Sequence, residues 1–149
     1  MAKAAIVKLK AAGVEIDYTP PPKAITVRGN PVHLEQVLIN LLSNAADAME
    51  QSLLRVLSIS VSQHDGCVSL LVSDTGEGIA PAALGNVFDP FYSTKEAGRG
   101  LGLGLSISYG LVRDLGGAIS VESRLGEGST FAVRLPLATH PLPIPEAAQ

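Results

Sequence analysis

Cysteine is nearly missing. Cys67 is the only one, so neither a disulfide framework nor a cysteine-based zinc site can be built, and a reducing, cytosolic setting fits. Tryptophan is absent and aromatic residues make up 4% of the chain. There is no long run of Lys or Arg and the formal net charge is −3, which argues against nucleic acid as the main partner. No apolar stretch approaches the ~18 residues that a membrane span needs, and no signal peptide opens the chain. This piece is therefore expected to make no membrane contact. Whether a longer parent is anchored in the inner membrane is not legible. No Gly-Lys pair occurs anywhere, which excludes a P-loop. What is present is enough for one domain: 149 residues, 46% hydrophobic, can bury a core without cross-links.

The chain is organised around Asn30 to Glu50, NPVHLEQVLINLLSNAADAME. Leu34, Val37, Leu38, Leu41, Leu42, Ala45, Ala48 and Met49 recur at helical spacing and define one broad apolar arc. His33, Gln36, Asn40, Ser43, Asn44 and Asp47 occupy the other. Asn30 before Pro31 reads as an N-cap with proline in the first helical position. Short oxygen-bearing side chains on a rigid helix suit a metal-plus-phosphate site, although an ordinary exposed polar face is an equally good reading of this helix alone.

Around that helix, residues 1 to 13 read as the last turns of a helix or a chain end. Val14 to Thr19 and Ala24 to Arg28 read as two strands separated by a proline break. Alternating Leu57, Ile59 and Val61, an Asp65-Gly66 turn and Cys67 to Asp74 form a hairpin. Thr75 to Gly104 is a long glycine-rich loop with one short helical turn near Pro81 to Leu84, and loops of this length in compact domains are usually functional or disordered. Leu103 to Gly117 resumes helical spacing through Leu105, Ile107, Leu111, Val112 and Leu115, and Gly116-Gly117 stops it. Two more strands follow, with a turn at Leu125 to Gly128, and then a loose tail after residue 136. This order predicts an α+β fold, a two-layer sandwich with helices on one face of a mixed, mostly antiparallel sheet.

Three further stretches carry chemistry. Asp74-Thr75-Gly76-Glu77-Gly78 places a carboxylate at a strand end, where it can accept from a planar NH₂ group, and its glycines would let backbone approach a flat ring. Gly98 to Ser106, GRGLGLGLS, runs straight into a helix; free N–H groups and a positive helix end make a phosphate cradle, though a flexible hinge has the same composition. Phe88 to Lys95, FDPFYSTK, holds three of the six aromatics and reads as a lid, a docking surface or the loop's own small core.

Together these stretches resemble the ATP-binding catalytic domain of sensor histidine kinases, within the gyrase/Hsp90/histidine-kinase/MutL superfamily. HLEQVLINLLSNAADAM resembles the asparagine box, DTGEGI the first glycine box, FDPFYSTK the phenylalanine box, GLGLGLS the second glycine box and GEGSTF the third. The wording of DPFYSTK and GLGLGLSIS is similar to the nitrogen-regulation and C4-dicarboxylate sensor kinases. The resemblance covers residues 14 to 136 and implies a Bergerat-type sandwich with an ATP lid at residues 79 to 99. It implies that Asp74 accepts from the adenine amino group, with Gly76, Gly78 and Ile79 of that box shaping the pocket. Asn44 would ligate Mg²⁺, Asn40 would support the metal or the phosphates, and Asp47 shares their face. Gly100, Leu101, Gly102, Leu103, Gly104 and Leu105 would line the phosphates. Lys95 or Arg99 would reach the γ-phosphate, and Thr130 would support the adenine pocket.

One position separates kinase from hydrolase. In the gyrase and Hsp90 branches a Glu one turn before the metal-binding Asn activates water. Asn40 stands there, and an amide cannot take that proton. Glu35 falls on the other side of the helix from Asn44. Phosphoryl transfer to a substrate is thus favoured over hydrolysis, by positioning and charge stabilisation. None of His33, His64 and His140 has the setting of a phosphoacceptor. The acceptor His is expected on a separate dimerisation domain, with a response regulator downstream. The piece itself is expected to be monomeric, to bind ATP and Mg²⁺ and not to phosphorylate itself. The alternatives are a protein-serine kinase of the anti-sigma type and a nucleotide-binding module without transfer.

Overall fold

The computed structural model describes residues 3–89 and 104–138, with side chains from Ile6 onward. Its elements are α1 (Lys3–Ala11), β1 (Glu15–Thr19), α2 (Pro31–Ala48), β2 (Val56–His64), β3 (Cys67–Asp74), α3 (Pro81–Leu84), α4 (Gly104–Asp114), β4 (Ala118–Arg124) and β5 (Gly128–Pro136). The strands form one sheet in the order β1-β2-β3-β5-β4. β1 pairs parallel with β2 at one edge, and every other pairing is antiparallel.

Alternation along each strand sends one side chain in two toward the helices. Leu57 and Ile59 of β2, Val68 and Val72 of β3, Ile119 of β4, and Phe131 and Val133 of β5 make the sheet side of the core. Val37, Leu41, Leu42, Ala45 and Met49 make the helix side. α2 forms where its pattern predicts. Asn30 caps it by accepting from the Val32 N–H, and Pro31 fills the first turn, where no N–H is needed.

The Asp65-Gly66 turn has both residues at positive φ (51° and 76°), matching the twist of β2 and β3. α4 stops as its glycines require: Gly116 sits at φ 82° and the Gly117 N–H returns to Val112 O at 2.9 Å. The short turn of Pro81 to Leu84 is present as α3.

Two expectations need correction. Ala24 to Arg28 is not a strand. Only Val27 makes a bridge, to Leu137, and Gly29 at φ 143° then turns the chain into α2 before a ladder can grow. In α4, Ile107 is 47% exposed while Ser108 is fully buried. Helical spacing placed an apolar residue one position away from the buried arc, because hydrophobicity alone cannot reveal a serine that is satisfied by hydrogen bonds.

α1 belongs to the packed body. Leu9 is wholly buried in the main core. Arg55 ties the ends of two helices together, donating to Ala12 O at 2.7 Å, Glu50 O at 2.8 Å and Ser52 O at 3.0 Å. A guanidinium at carbonyl-rich helix C-termini satisfies acceptors that have no partner within the helix. Among the described residues no helix is long and apolar enough to cross a membrane.

Candidate nucleotide site

The site begins at the C-terminal end of the central strand. Asp74 pairs with Ser129 across β3 and β5 and shares the helix-facing side with Leu57 and Phe131. Only 8% of it is exposed. Burial pushes its carboxyl above the ordinary carboxylate value, and the Glu77 charge adds to this. Backbone N–H groups of Gly76 and Ser129 pull the other way, the former at 2.9 Å from Oδ1. A buried carboxylate that accepts from two backbone N–H groups has lone pairs for a further donor.

The residues after Asp74 are held by close approach of backbone to backbone. A Cβ on Gly76 would lie 2.5 Å from Ala48 O of α2, and the next residue, Glu77, donates its N–H to that same carbonyl at 2.9 Å. Gly78 has φ 73°, and a Cβ there would lie 2.1 Å from Arg124 O. Both glycines therefore let the loop wedge between α2 and the β4–β5 turn, where the sequence had suggested room for a flat ring. Thr75 fixes the other side, donating to Leu54 O at 2.8 Å and accepting from the Val56 N–H at 3.0 Å.

Sequence reasoning missed three residues, two of which complete this end. Ser123 Oγ receives the Ile79 N–H at 2.7 Å, donates to Gly128 O at 2.8 Å and contacts Ser129 Oγ at 2.8 Å. Ser129 thus stands beside Asp74 on the helix-facing side. Thr130, the residue expected there, does not: the alternation of β5 puts its hydroxyl on the other face, 2.7 Å from Ser73 Oγ. The alternation of STFAV around the apolar Phe131 and Val133 carried this signal. Ser108, the third, is bound to the α2 face described next.

On α2, Asn40, Asn44 and Asp47 are half-buried. Asn40 faces α4: its Nδ2 donates to Gly104 O at 3.1 Å and Ser108 Oγ at 3.0 Å, while its Oδ1 accepts from Gln36 at 2.9 Å. Gly104 and Leu105 form the first turn of α4, and Leu105 packs against the core. Phe88, the first residue of the aromatic window, is anchored between Tyr109 (5.6 Å between centroids) and Phe131 (6.5 Å). The remaining expected site residues, Lys95, Arg99, Gly100, Leu101, Gly102 and Leu103, lie outside the described residues. So does the second part of the expected lid at 79 to 99, from residue 90 onward.

A metal ion would find an oxygen donor in the Asn44 side chain. No group of three or more His, Cys, Asp or Glu able to hold a metal occurs among the described residues. That donor set suits Mg²⁺, which keeps several waters and is held largely by phosphate oxygens.

Comparison with known proteins identifies the family. The family model described as histidine kinase-, DNA gyrase B-, and HSP90-like ATPase matches residues 29–139. The two-component sensor PprA of Pseudomonas aeruginosa is 42% identical over 136 residues, covering 87% of this chain and 14% of PprA. The C4-dicarboxylate transport sensor protein DctB of Rhizobium meliloti is 45% identical over 115 residues, covering 77% of this chain and 18% of its own. The chain thus spans less than a fifth of either relative.

Among solved structures, full-length ShkA in complex with AMPPNP superposes with a TM-score of 0.80 at 32% identity, over 96% of this chain and 30% of ShkA. The nucleotide-free catalytic domain of histidine kinase ThkA gives 0.76 at 28% identity, over 91% of this chain and 89% of that one. By fold and by these matches, the chain belongs to the histidine kinase-, DNA gyrase B- and HSP90-like ATPase family, and its relatives there are sensor histidine kinases.

Proposed function

We propose that residues 14–136 are the ATP-binding catalytic domain of a two-component sensor histidine kinase. The domain passes the γ-phosphate of ATP to a His on a separate helical dimerisation domain, and a response regulator takes the phosphate from there. The observation that carries this reading is Asp74: a nearly buried carboxylate, raised by burial, at the end of a central strand. It accepts the exocyclic NH₂ of adenine and refuses guanine, whose corresponding oxygen has no proton to give. Ser129 and Ser123 hold the strand end against which the ring lies.

At the phosphate end α2 positions the substrate and, with an amide at position 40, offers no base there. Asn44 would hold Mg²⁺, which would supply positive charge to the phosphates, and the first turn of α4 would offer its N–H groups to them. Asn40 cannot accept a proton from water, so the γ-phosphate waits for a nucleophile from the partner domain.

The test has two parts. Calorimetric titration with Mg²⁺ and ATP should show saturable binding that GTP does not reproduce. Addition of a separately produced acceptor-helix domain with γ-labelled ATP should then label a histidine, as an acid-labile phosphate, while the chain alone stays unlabelled. Label on a serine would favour the serine-kinase alternative, and binding without any label would leave only a nucleotide-binding module.

A further inference from the structure

Asn40 was the residue expected to support the metal or the phosphates, yet its amide is engaged elsewhere. Both Nδ2 hydrogens have acceptors on α4, Gly104 O and Ser108 Oγ, and its Oδ1 accepts from Gln36. Ser108 is wholly buried and donates its own proton to Gly104 O at 2.9 Å. The Gly104 carbonyl thus receives two donors at the point where the glycine-rich stretch becomes helix.

Taking the nucleotide reading above as given, we infer that Asn40 and Ser108 are positioning residues that lock the first turn of α4 onto α2, and so fix the phosphate-facing helix terminus relative to Asn44. The lock depends on Asn40 being a donor. A carboxylate at position 40 would have no hydrogen to offer and would face the lone pairs of the Gly104 carbonyl. The hydrolytic base of related ATPases is therefore not merely replaced at position 40. The start of α4 is built in a way that disfavours it. Gln36 orients the amide, since its donation to Oδ1 leaves Nδ2 directed at α4.

A lock at the phosphate end differs from general stabilisation in what it distinguishes. Adenosine touches only the Asp74 end, whereas ATP needs both ends in register. Wild type, Ser108→Ala and Asn40→Asp are titrated with ATP and adenosine in Mg²⁺, alongside thermal unfolding. Losing one or two of these hydrogen bonds should weaken ATP binding about tenfold, with adenosine changed less than about twofold. Asn40→Asp should show the same split and gain no ATP hydrolysis.

Equal weakening of ATP and adenosine, no weakening at all, or ATPase activity in Asn40→Asp would each overturn the lock. If Ser108→Ala does not fold, the half-buried Asn40→Asp carries the test. Failure of the wild type to bind ATP would instead sink the nucleotide reading and the lock with it. Variants without that split, beside a wild type that does bind ATP, would sink the lock alone.

Discussion

A single carboxylate shows how function and stability oppose each other at one residue. The folded pKa of Asp74 lies above its unfolded value because burial disfavours the charge. Below the unfolded value, about 4, the group is neutral in both states and costs nothing. As pH rises from there through the folded pKa, the native state must give up a proton that it holds more tightly than the unfolded chain does, and stability falls. Asp74→Asn removes that charge. It should therefore unfold at the same or a higher temperature than wild type near neutral pH, with the difference shrinking as pH is lowered toward 4. ATP binding should be lost in the same variant. A variant that binds ATP normally would refute the adenine role, and one that melts well below wild type would show Asp74 to be structural. ATP affinity of the wild type should also decline as pH falls through the Asp74 titration, because the neutral acid is the poorer acceptor.

Among the elements, what places Asp74 is the wedge between α2 and the β4–β5 turn. Adding one methyl at Gly76 would put it 2.5 Å from the Ala48 carbonyl, where backbone cannot yield as a side chain end would. Gly76→Ala is expected to cost about 1–3 kcal/mol of stability in urea unfolding, as overpacking does, and to weaken ATP by displacing the loop. A neutral result would mean that the loop moves freely, contrary to the Glu77 and Ser123 hydrogen bonds that hold it. Element by element, the sequence was readable where a pattern carries its own chemistry. Asn30-Pro31 at a helix start and Asp65-Gly66 in a hairpin demand their conformations. Reading failed by a single position where polar residues face inward. Ser108 rather than Ile107 is buried, and Ser129 rather than Thr130 accompanies Asp74. Periodicity locates a face only as well as the residues marking it are apolar, and a serine that finds its partners is silent in that signal. Ala24 to Arg28 failed differently: strand propensity was there, but Gly29 leaves it no room to pair.

Across the whole molecule, the fold class was legible because the order of strand and helix patterns is the order observed, and among the described residues Asp74 to Ile79 meets α2 and the β4–β5 turn at one end of one sheet. The contribution of the first residues was not. Leu9, in a segment whose sequence is Ala- and Lys-rich, is as buried as any residue of α2. Leu9→Ala should cost about 2–5 kcal/mol, the range for an emptied leucine site, measurable as a lower urea midpoint with an unchanged m-value. A cost below about 0.5 kcal/mol, typical of surface substitutions, would mean that α1 is not part of the cooperative unit.

The order β1-β2-β3-β5-β4 has one further consequence, for chain entropy. Two of its antiparallel pairings are local hairpins, but β3 and β5 meet only by closing the long segment between Asp74 and Ser129. Closure entropy grows with the logarithm of loop length, about 0.6 kcal/mol for each doubling. The carboxylate and its serine neighbour therefore stay paired almost regardless of how many residues lie between them. Insertions between α3 and α4 should leave the adenine end of the site intact, so that region is free to lengthen or shorten while the ring-binding end stays the same.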